Sequence, residues 1–136
     1  MRCEEIMNRE VECVSPHETV LAAAQRMRDK DIGFLPICDQ KRVLGTVTDR
    51  DIVVRLVANE QAYSIPCGEI MTHEVISCRP GDDIRRAEEL LATYKKSRIM
   101  CLGDDGKLAG VISLADIARI QRDSDVAGTV REVKKP

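Results

Sequence analysis

The chain has 136 residues, of which 43% are hydrophobic, and a formal net charge of -2 at pH 7. This length suffices for one well-buried core or for two small halves that share one. Because the net charge is small and only three residues are aromatic, the chain offers neither a basic surface for a phosphate backbone nor a stacking surface for bases. No apolar run matches a membrane span, and the first residues do not resemble a signal peptide. We therefore expect a cytoplasmic protein that binds neither nucleic acid nor a membrane.

Two parts of the chain align with each other at a nearly constant offset. The segment 7–16 matches 71–80, and 35–37 matches 99–101. After one inserted residue in the turn at 104–106, Gly45 matches Gly110. This alignment predicts two tandem repeats, 1–61 and 62–122, followed by a tail, 123–136.

Each repeat carries the same order of local signals. After a short leading helix, hydrophobic periodicity and turn residues predict strand, helix, strand, strand, helix. In the first repeat these elements are predicted at 4–7, 11–14, 19–30, 34–38, 43–48 and 49–57. In the second they are predicted at 68–71, 75–78, 83–95, 98–102, 108–113 and 114–121. Thr19 and Asp83 are the expected N-caps of the long helices.

Apolar residues at helical spacing predict which helix faces are buried. In the long helices these residues are Val20, Ala23, Ala24 and Met27, matched by Ile84, Ala87, Leu91 and Tyr94. In the last helix of each repeat they are Ile52, Val53 and Leu56, matched by Ile117 and Ile120.

A β-α-β-β-α unit of this size has too little core to stand alone. We therefore predict an α/β (α+β) fold in which two such repeats, related by pseudo-twofold symmetry, pack their sheets face to face. Such an arrangement predicts two quasi-equivalent ligand pockets between the repeats.

One motif occurs in both repeats at the junction between the last strand and the last helix. Gly45 precedes Thr48 and Asp51, and Gly110 precedes Ser113 and Asp116. Taken alone, a hydroxyl residue followed three positions later by a carboxylate is a capping box. A helix N-terminus also suits a phosphate, and the carboxylate suits the hydroxyls of a ribose. Because the motif is duplicated with the glycine in register, we favour a ligand site.

This element order, the paired Gly-x-apolar-[Thr/Ser]-x-x-Asp segments and the segment 35–37 resemble the cystathionine-β-synthase (CBS) domain family. The chain looks like one stand-alone bacterial CBS pair, or Bateman module. The resemblance implies a non-catalytic sensor that needs no cofactor and binds AMP, ADP or ATP, and sometimes S-adenosylmethionine or NAD, as a regulatory ligand. It also implies a homodimer that regulates a partner protein.

The resemblance further implies that each pocket combines residues of both repeats. One pocket takes the diol at Ser113 and Asp116, the phosphate at Arg98, and the base near Ser15, Leu35 and Pro36. The other takes Thr48 and Asp51 with Arg79 and Met100. Because Phe34 occupies the position that matches Arg98, and Met100 replaces the usual proline, we expect the Asp116 pocket to be the better site.

The six cysteines form no C-x-x-C pair, which argues against a zinc finger or a thioredoxin-type motif. Cys13 and Cys38 end neighbouring predicted strands of the first repeat, within reach of a disulfide or of a shared metal ion. The alternatives are two buried thiols, or a redox- or metal-responsive dimer with vestigial nucleotide pockets. No catalytic triad, P-loop or G-x-G-x-x-G motif supports an enzyme.

Overall fold

A computed structural model of the chain describes residues 1–123, so most of the predicted tail lies outside the described residues. The chain divides into two compact units that are not continuous in sequence. The first-repeat unit contains Glu10–Val75 and Gly103–Leu108, and the second-repeat unit contains Met1–Arg9, Ile76–Leu102 and the segment from Ala109 onward. Each unit therefore includes the leading segment of the other repeat. The repeat boundaries 1–61 and 62–122 stay a prediction.

Apart from the first predicted strand, the first-repeat unit follows the predicted order of elements. Its elements are α1 (Val20–Lys30), β1 (Phe34–Asp39), β2 (Arg42–Thr48), α2 (Asp49–Asp51) with a π-helical continuation (Ile52–Val57), and a 3-10 turn (Cys67–Glu69). β1 and β2 form an antiparallel pair in which Leu35 lies opposite Val47 and Pro36 opposite Thr46. The core of this unit is aliphatic and is formed by Val14, Val20, Ala23, Met27, Leu35, Ile37, Val47, Leu56, Cys67 and Ile70.

The second-repeat unit repeats this plan. Its elements are a 3-10 turn (Cys3–Glu5), β3 (Ser77–Cys78), α3 (Ile84–Tyr94), β4 (Arg98–Leu102), β5 (Leu108–Ser113) and a helix, α4, over residues 114–123. The strands form a sheet in the order β3-β4-β5, and β3 and β4 are parallel. The core is formed by Cys3, Met7, Cys78, Ala87, Leu91, Ile99, Cys101, Ile112 and Ile117. The mixed α+β fold with small sheets is confirmed.

Both long helices begin where the sequence predicts. The Thr19 hydroxyl accepts a hydrogen bond from the Ala22 amide, and the Asp83 carboxylate accepts one from the Arg85 amide, so both predicted N-caps are confirmed. Each helix ends on a left-handed residue, Asp31 or Lys95. These matched ends fix the length of both helices at 11 residues.

The predicted strand at 11–14 is wrong, because only Val14 forms a bridge, parallel to Ile37. The Val14 amide donates to the Pro36 carbonyl, and the Cys38 amide donates to the Val14 carbonyl. Extending this parallel ladder backwards needs a donor at position 36, and proline has no N–H. Met100 occupies the matching position in the other repeat, and there a two-residue strand, Ser77–Cys78, forms.

Two residues that we expected in the cores, Val53 and Tyr94, are exposed. Val53 lies in the π-helical segment, where the longer turn moves it away from the face of the buried Leu56. Tyr94 is the last residue of α3 and keeps its hydroxyl in water. The leading helices at 4–7 and 68–71 are also shorter than predicted, each being a three-residue 3-10 turn.

Candidate ligand-binding site

The junction between β2 and α2 forms a complete capping box. The Thr48 hydroxyl accepts a hydrogen bond from the Asp51 amide at 3.1 Å, and Asp51 Oδ2 accepts one from the Thr48 amide at 3.0 Å. The Asp49 amide donates to the Gly33 carbonyl at 3.0 Å, which ties the junction to the start of β1. The helix-starting interpretation of this motif is therefore correct for its local geometry.

The junction between β5 and α4 has the same design with one longer bond. The Ser113 hydroxyl accepts from the Asp116 amide at 3.0 Å, whereas Asp116 Oδ2 accepts from the Ser113 amide at 3.4 Å. The Leu114 amide donates to the Ser97 carbonyl at 2.8 Å. This bond places Arg98, the next residue and the first of β4, beside the junction. Three predicted site residues of the second-repeat unit are thus brought together.

The two carboxylates differ in what else they bind. In the first-repeat unit, the Thr72 hydroxyl donates to Asp51 Oδ1 at 3.3 Å, and Arg55 Nε lies 3.9 Å from the same oxygen. The Asp51 side chain is 13% exposed. Asp116 is 30% exposed, and its Oδ1 accepts from the exposed Arg119 at 3.1 Å. An exposed ion pair is weak, so Asp116 is the carboxylate that a ligand reaches at lower cost.

The repeated glycines have a packing role. A Cβ at Gly45 would collide with the Thr72 backbone oxygen, and a Cβ at Gly110 would lie 2.8 Å from Met7 Cγ and 2.9 Å from the Asn8 oxygen. In each unit a leading segment crosses the last strand here, through bridges between Thr46 and Thr72 and between Asn8 and Val111. Glycine occupies the same position in both repeats because another segment of the chain passes too close for a Cβ. The repeated glycines therefore add no evidence for a ligand beyond the junctions themselves.

The remaining predicted residues fall in different units. Ser15, Leu35 and Pro36 belong to the first-repeat unit, and Arg79 and Met100 belong to the second-repeat unit. Leu35, Pro36 and Met100 are buried, whereas Arg79 is exposed and Ser15 is half-buried with its hydroxyl accepting from the His17 amide. The combination of residues of both repeats in one pocket stays a prediction.

The predicted thiol pair is brought together. Cys13 and Cys38 have their Sγ atoms 2.7 Å apart, and both are free thiols. The hydrogen bond that Cys13 accepts lowers its pKa, and the pKa of Cys38, which donates and is buried, is raised. Cys13 opens onto a depression of about 530 Å³ that Glu12, Arg26, Asp29 and Lys30 also line.

Some contacts were missed at the sequence level. Thr72 and Arg119 bond the two carboxylates, yet nothing in a single sequence links Thr72 to Asp51, since they are brought together only by the chain crossing. Cys3, Cys78 and Cys101 form a buried thiol cluster. A signal for that cluster was present, because Cys78 and Cys101 match the bridged residues Val14 and Ile37 in the repeat alignment.

Comparison with known proteins settles the family. The profile of the CBS domain matches residues 3–58 and again residues 67–123. This chain belongs to the CBS domain family. Hypoxic response protein 1 of Mycobacterium tuberculosis is 34% identical over 134 residues, which cover 97% of this chain and 93% of that protein. The chain is thus a tandem CBS pair.

Solved CBS structures share its fold. A crystal structure of Hypoxic Response Protein I with two coordinated zinc ions has a TM-score of 0.77 and 35% identity, and the match covers 88% of this chain and 98% of the other. CBSX2 in complex with AMP has a TM-score of 0.79 and covers 91% of this chain and 98% of its own, but at 22% identity it supports the fold alone. Within residues 1–123, the helices of this CBS pair are too short or too polar to cross a membrane.

Proposed function

We propose that this CBS pair is a non-catalytic regulatory module that binds an adenosine-containing ligand. The candidates are AMP, ADP and ATP, and also S-adenosylmethionine and NAD. In this proposal the chain acts as a cytoplasmic homodimer on a partner protein, and the ligand shifts that interaction by no more than its differential affinity for the two states of the module.

The observation that carries the proposal is the duplicated junction, in which a carboxylate stands at the third position of a helix and its backbone amide is bonded to the hydroxyl of the residue before the helix. A carboxylate that accepts both hydroxyls of a ribose gains two charge-assisted hydrogen bonds. A helix N-terminus also stabilises a nearby phosphate through the positive end of the helix dipole. CBSX2, a protein of this fold, is known in complex with AMP, and this likeness agrees with the proposal.

The Asp116 junction is the better candidate of the two. Its carboxylate is more exposed, its Oδ2 bond to the Ser113 amide is long, and its Oδ1 partner, Arg119, is itself exposed. Arg98 begins β4 beside this junction and supplies a guanidinium for the phosphate. At the matching position of the first-repeat unit Phe34 begins β1 and offers no charge to a phosphate.

Thermal unfolding with each candidate ligand tests the proposal directly. A ligand present at a hundred times its Kd stabilises the folded chain by about 2.7 kcal/mol. We expect at least one adenosine compound to raise the midpoint, and guanosine or cytidine compounds of equal charge serve as controls. If no adenosine compound shifts the midpoint more than its control does, the proposal is wrong.

A second function is favoured by the contact between Cys13 and Cys38. Two free thiols at 2.7 Å are placed to form a disulfide when a low-molecular-weight disulfide accepts their two electrons and two protons and is released as two thiols. Because the pKa of Cys13 is lowered, its thiolate is the attacking group. In this alternative the module responds to redox state or to a metal ion held by the pair, and the nucleotide junctions are vestigial.

Mass spectrometry of the native protein separates the two functions. The redox alternative predicts that oxidised glutathione produces a Cys13–Cys38 disulfide and the loss of two hydrogen atoms from the chain, with a changed partner interaction or dimerisation. Cys13→Ser is the matched control, because serine occupies the corresponding position, Ser77, of the other repeat. Thiols that remain free under oxidation, together with no zinc uptake, would remove this alternative.

A further inference from the structure

Three thiols converge inside the second-repeat unit. Cys78 Sγ lies 3.7 Å from Cys3 Sγ and 3.4 Å from Cys101 Sγ, and all three sulfurs lie within 4.8 Å of one another. The three residues are 0%, 5% and 0% exposed, in the order Cys3, Cys78, Cys101. They come from three separate parts of the chain: the leading 3-10 turn, the end of β3 and the middle of β4.

The separations of 3.7 and 3.4 Å from Cys78 Sγ to the other two sulfurs match a single atom bound by three sulfurs. With bonds of about 2.3 Å to thiolate sulfur, bond angles between about 90° and 120° place the sulfurs roughly 3.3–4.0 Å apart. Within residues 1–123, no fourth cysteine, histidine or carboxylate ligand joins this group. Four-coordinate zinc therefore lacks a protein ligand here, whereas soft ions that accept three sulfur ligands do not need one.

The apolar surroundings of the cluster further limit which element the three sulfurs can bind. The cluster lies in an aliphatic core with Ala87, Leu91, Ile99, Ile112 and Ile117, where an uncompensated charge is costly. A complex that is electrically neutral as a whole fits this core best.

We propose that Cys3, Cys78 and Cys101 form a binding site for trivalent arsenic, or for a metalloid of the same valence, held by three sulfur bonds. Arsenous acid, As(OH)3, condenses with three thiols. Three As–O bonds and three S–H bonds break, three As–S bonds form, and three water molecules leave. Arsenic stays trivalent, no electron is transferred, and the product carries no charge.

Access to the site requires only a local opening. Cys3 lies in the leading segment Met1–Arg9, which is attached by backbone groups alone along most of its length. The Cys3 and Glu4 amides donate to the carbonyls of Asp82 and Pro80, the Ile84 amide donates to the Met1 carbonyl, and bridges join Arg2 to Asp83 and Asn8 to Val111. A segment that is held by a few backbone hydrogen bonds opens at lower free energy than the core does. Bound arsenic would link the leading segment covalently to β3 and β4. Occupancy of the site would therefore reduce the opening of this segment.

Native mass spectrometry with arsenite tests this proposal, using Cys13→Ser protein so that the Cys13–Cys38 pair cannot bind arsenic. We expect one arsenic per chain with the loss of three protons, and slower amide exchange in the segment 1–9. In Cys78→Val, which copies Val14 of the other unit, we expect arsenic to be lost or to retain one hydroxyl with the loss of only two protons. Cys67→Ser is the control and should bind arsenic as the parent does.

Two results would overturn the proposal. One is no arsenite uptake by the folded Cys13→Ser protein, and the other is uptake that Cys78→Val leaves unchanged. X-ray absorption at the arsenic edge provides a reading that does not depend on any variant in the cluster, because it counts the sulfur neighbours. Three sulfur neighbours support the site, and two or fewer contradict it. Uptake of zinc without uptake of arsenite would also contradict the three-coordinate assignment.

Discussion

The two units are built from the same repeat, yet they place their cysteines and their proline differently. At the bridge between the first and second strands, the first-repeat unit has the apolar pair Val14 and Ile37, and the second-repeat unit has Cys78 and Cys101. Pro36 limits the first bridge to one residue, whereas Met100 allows a short strand. The apolar pattern that both repeats share specifies how each unit packs. The residues that differ between the repeats give each unit its own strand length and its own arrangement of thiols.

The junctions differ in the same way. Asp51 is enclosed by its capping box and by the Thr72 hydroxyl, whereas Asp116 has one long bond and one exposed ion pair. The carboxylate of the first-repeat unit therefore has more of its hydrogen-bonding capacity used within the fold. The second-repeat unit keeps bonding capacity that a ligand can use, which is why the two halves are expected to respond differently to the same substitution.

We expect the largest loss of stability from adding a side chain where a leading segment crosses the last strand of each unit. In Gly45→Ala the new Cβ meets the Thr72 backbone oxygen, which cannot move without breaking the bridge to Thr46, so we expect a loss of unfolding free energy of about 3 kcal/mol, the upper end for overpacking. In Gly110→Ala the nearest atoms include the flexible Met7 side chain, so we expect about 1–2 kcal/mol. Urea denaturation measures both, and an equal or reversed order would contradict the comparison.

The second prediction compares the carboxylates in ligand binding. Asp116→Asn keeps the side-chain shape but removes the charge, and we expect a loss of about 1–3 kcal/mol in affinity for the best adenosine ligand, or roughly 5- to 150-fold. Asp51→Asn should cost less than about fivefold. Isothermal titration calorimetry gives both values. A larger loss from Asp51→Asn would show that the enclosed junction is the functional one.

The third prediction compares the thiols by their pH dependence. The pKa of Cys13 is lowered, so its thiolate persists to lower pH, and that of Cys3 is raised from 9.0 to about 12. Between pH 7 and 9 we therefore expect iodoacetamide to modify Cys13 first, and Cys3 to be about a thousandfold less ionised than an ordinary thiol. Peptide mapping after timed alkylation measures this order. Faster modification of Cys3 at pH 7 would contradict it.

The smallest effect is expected at Arg119. Because the ion pair between Arg119 and Asp116 is exposed, Arg119→Gln should change the unfolding free energy by less than about 0.5 kcal/mol. The substitution also releases Asp116 Oδ1, so ligand affinity should rise by roughly two- to fivefold. Arg122→Gln, an exposed position on the same helix, is the control. A fall in affinity would place Arg119 on the ligand itself.

Much of the fold could be predicted from local chemistry. Thr19 and Asp83 mark the helix starts, and the apolar runs bounded by turn residues give the extent of β1 and β2 to within a residue. The exposure of Val53 could not be predicted, because the spacing of apolar residues does not indicate that the helix changes from α to π geometry. The single bridge at Val14 was predictable in principle, since Pro36 shows that a donor is missing from the neighbouring strand.

The site was predictable only where its residues are close in sequence. The bonds between Thr48 and Asp51 and between Ser113 and Asp116 follow from a spacing of three. Contacts such as Thr72 to Asp51 or Cys3 to Cys78 join residues that lie 21 and 75 positions apart, and no local rule brings them together. The Cys13 and Cys38 contact was anticipated because both residues flank a strand pairing that the repeat pattern indicates.

The exchange of leading segments between the two units also affects how the chain folds while the ribosome synthesises it. Asn8 pairs with Val111, so the segment around Asn8 can take its place in the fold only after β5 has been synthesised. The first-repeat unit likewise stays unfinished until Gly103–Leu108 has been made. Both units are therefore completed only after Gly103 has been synthesised, and closing these long loops makes that stage of synthesis the step that commits the nascent chain to its fold.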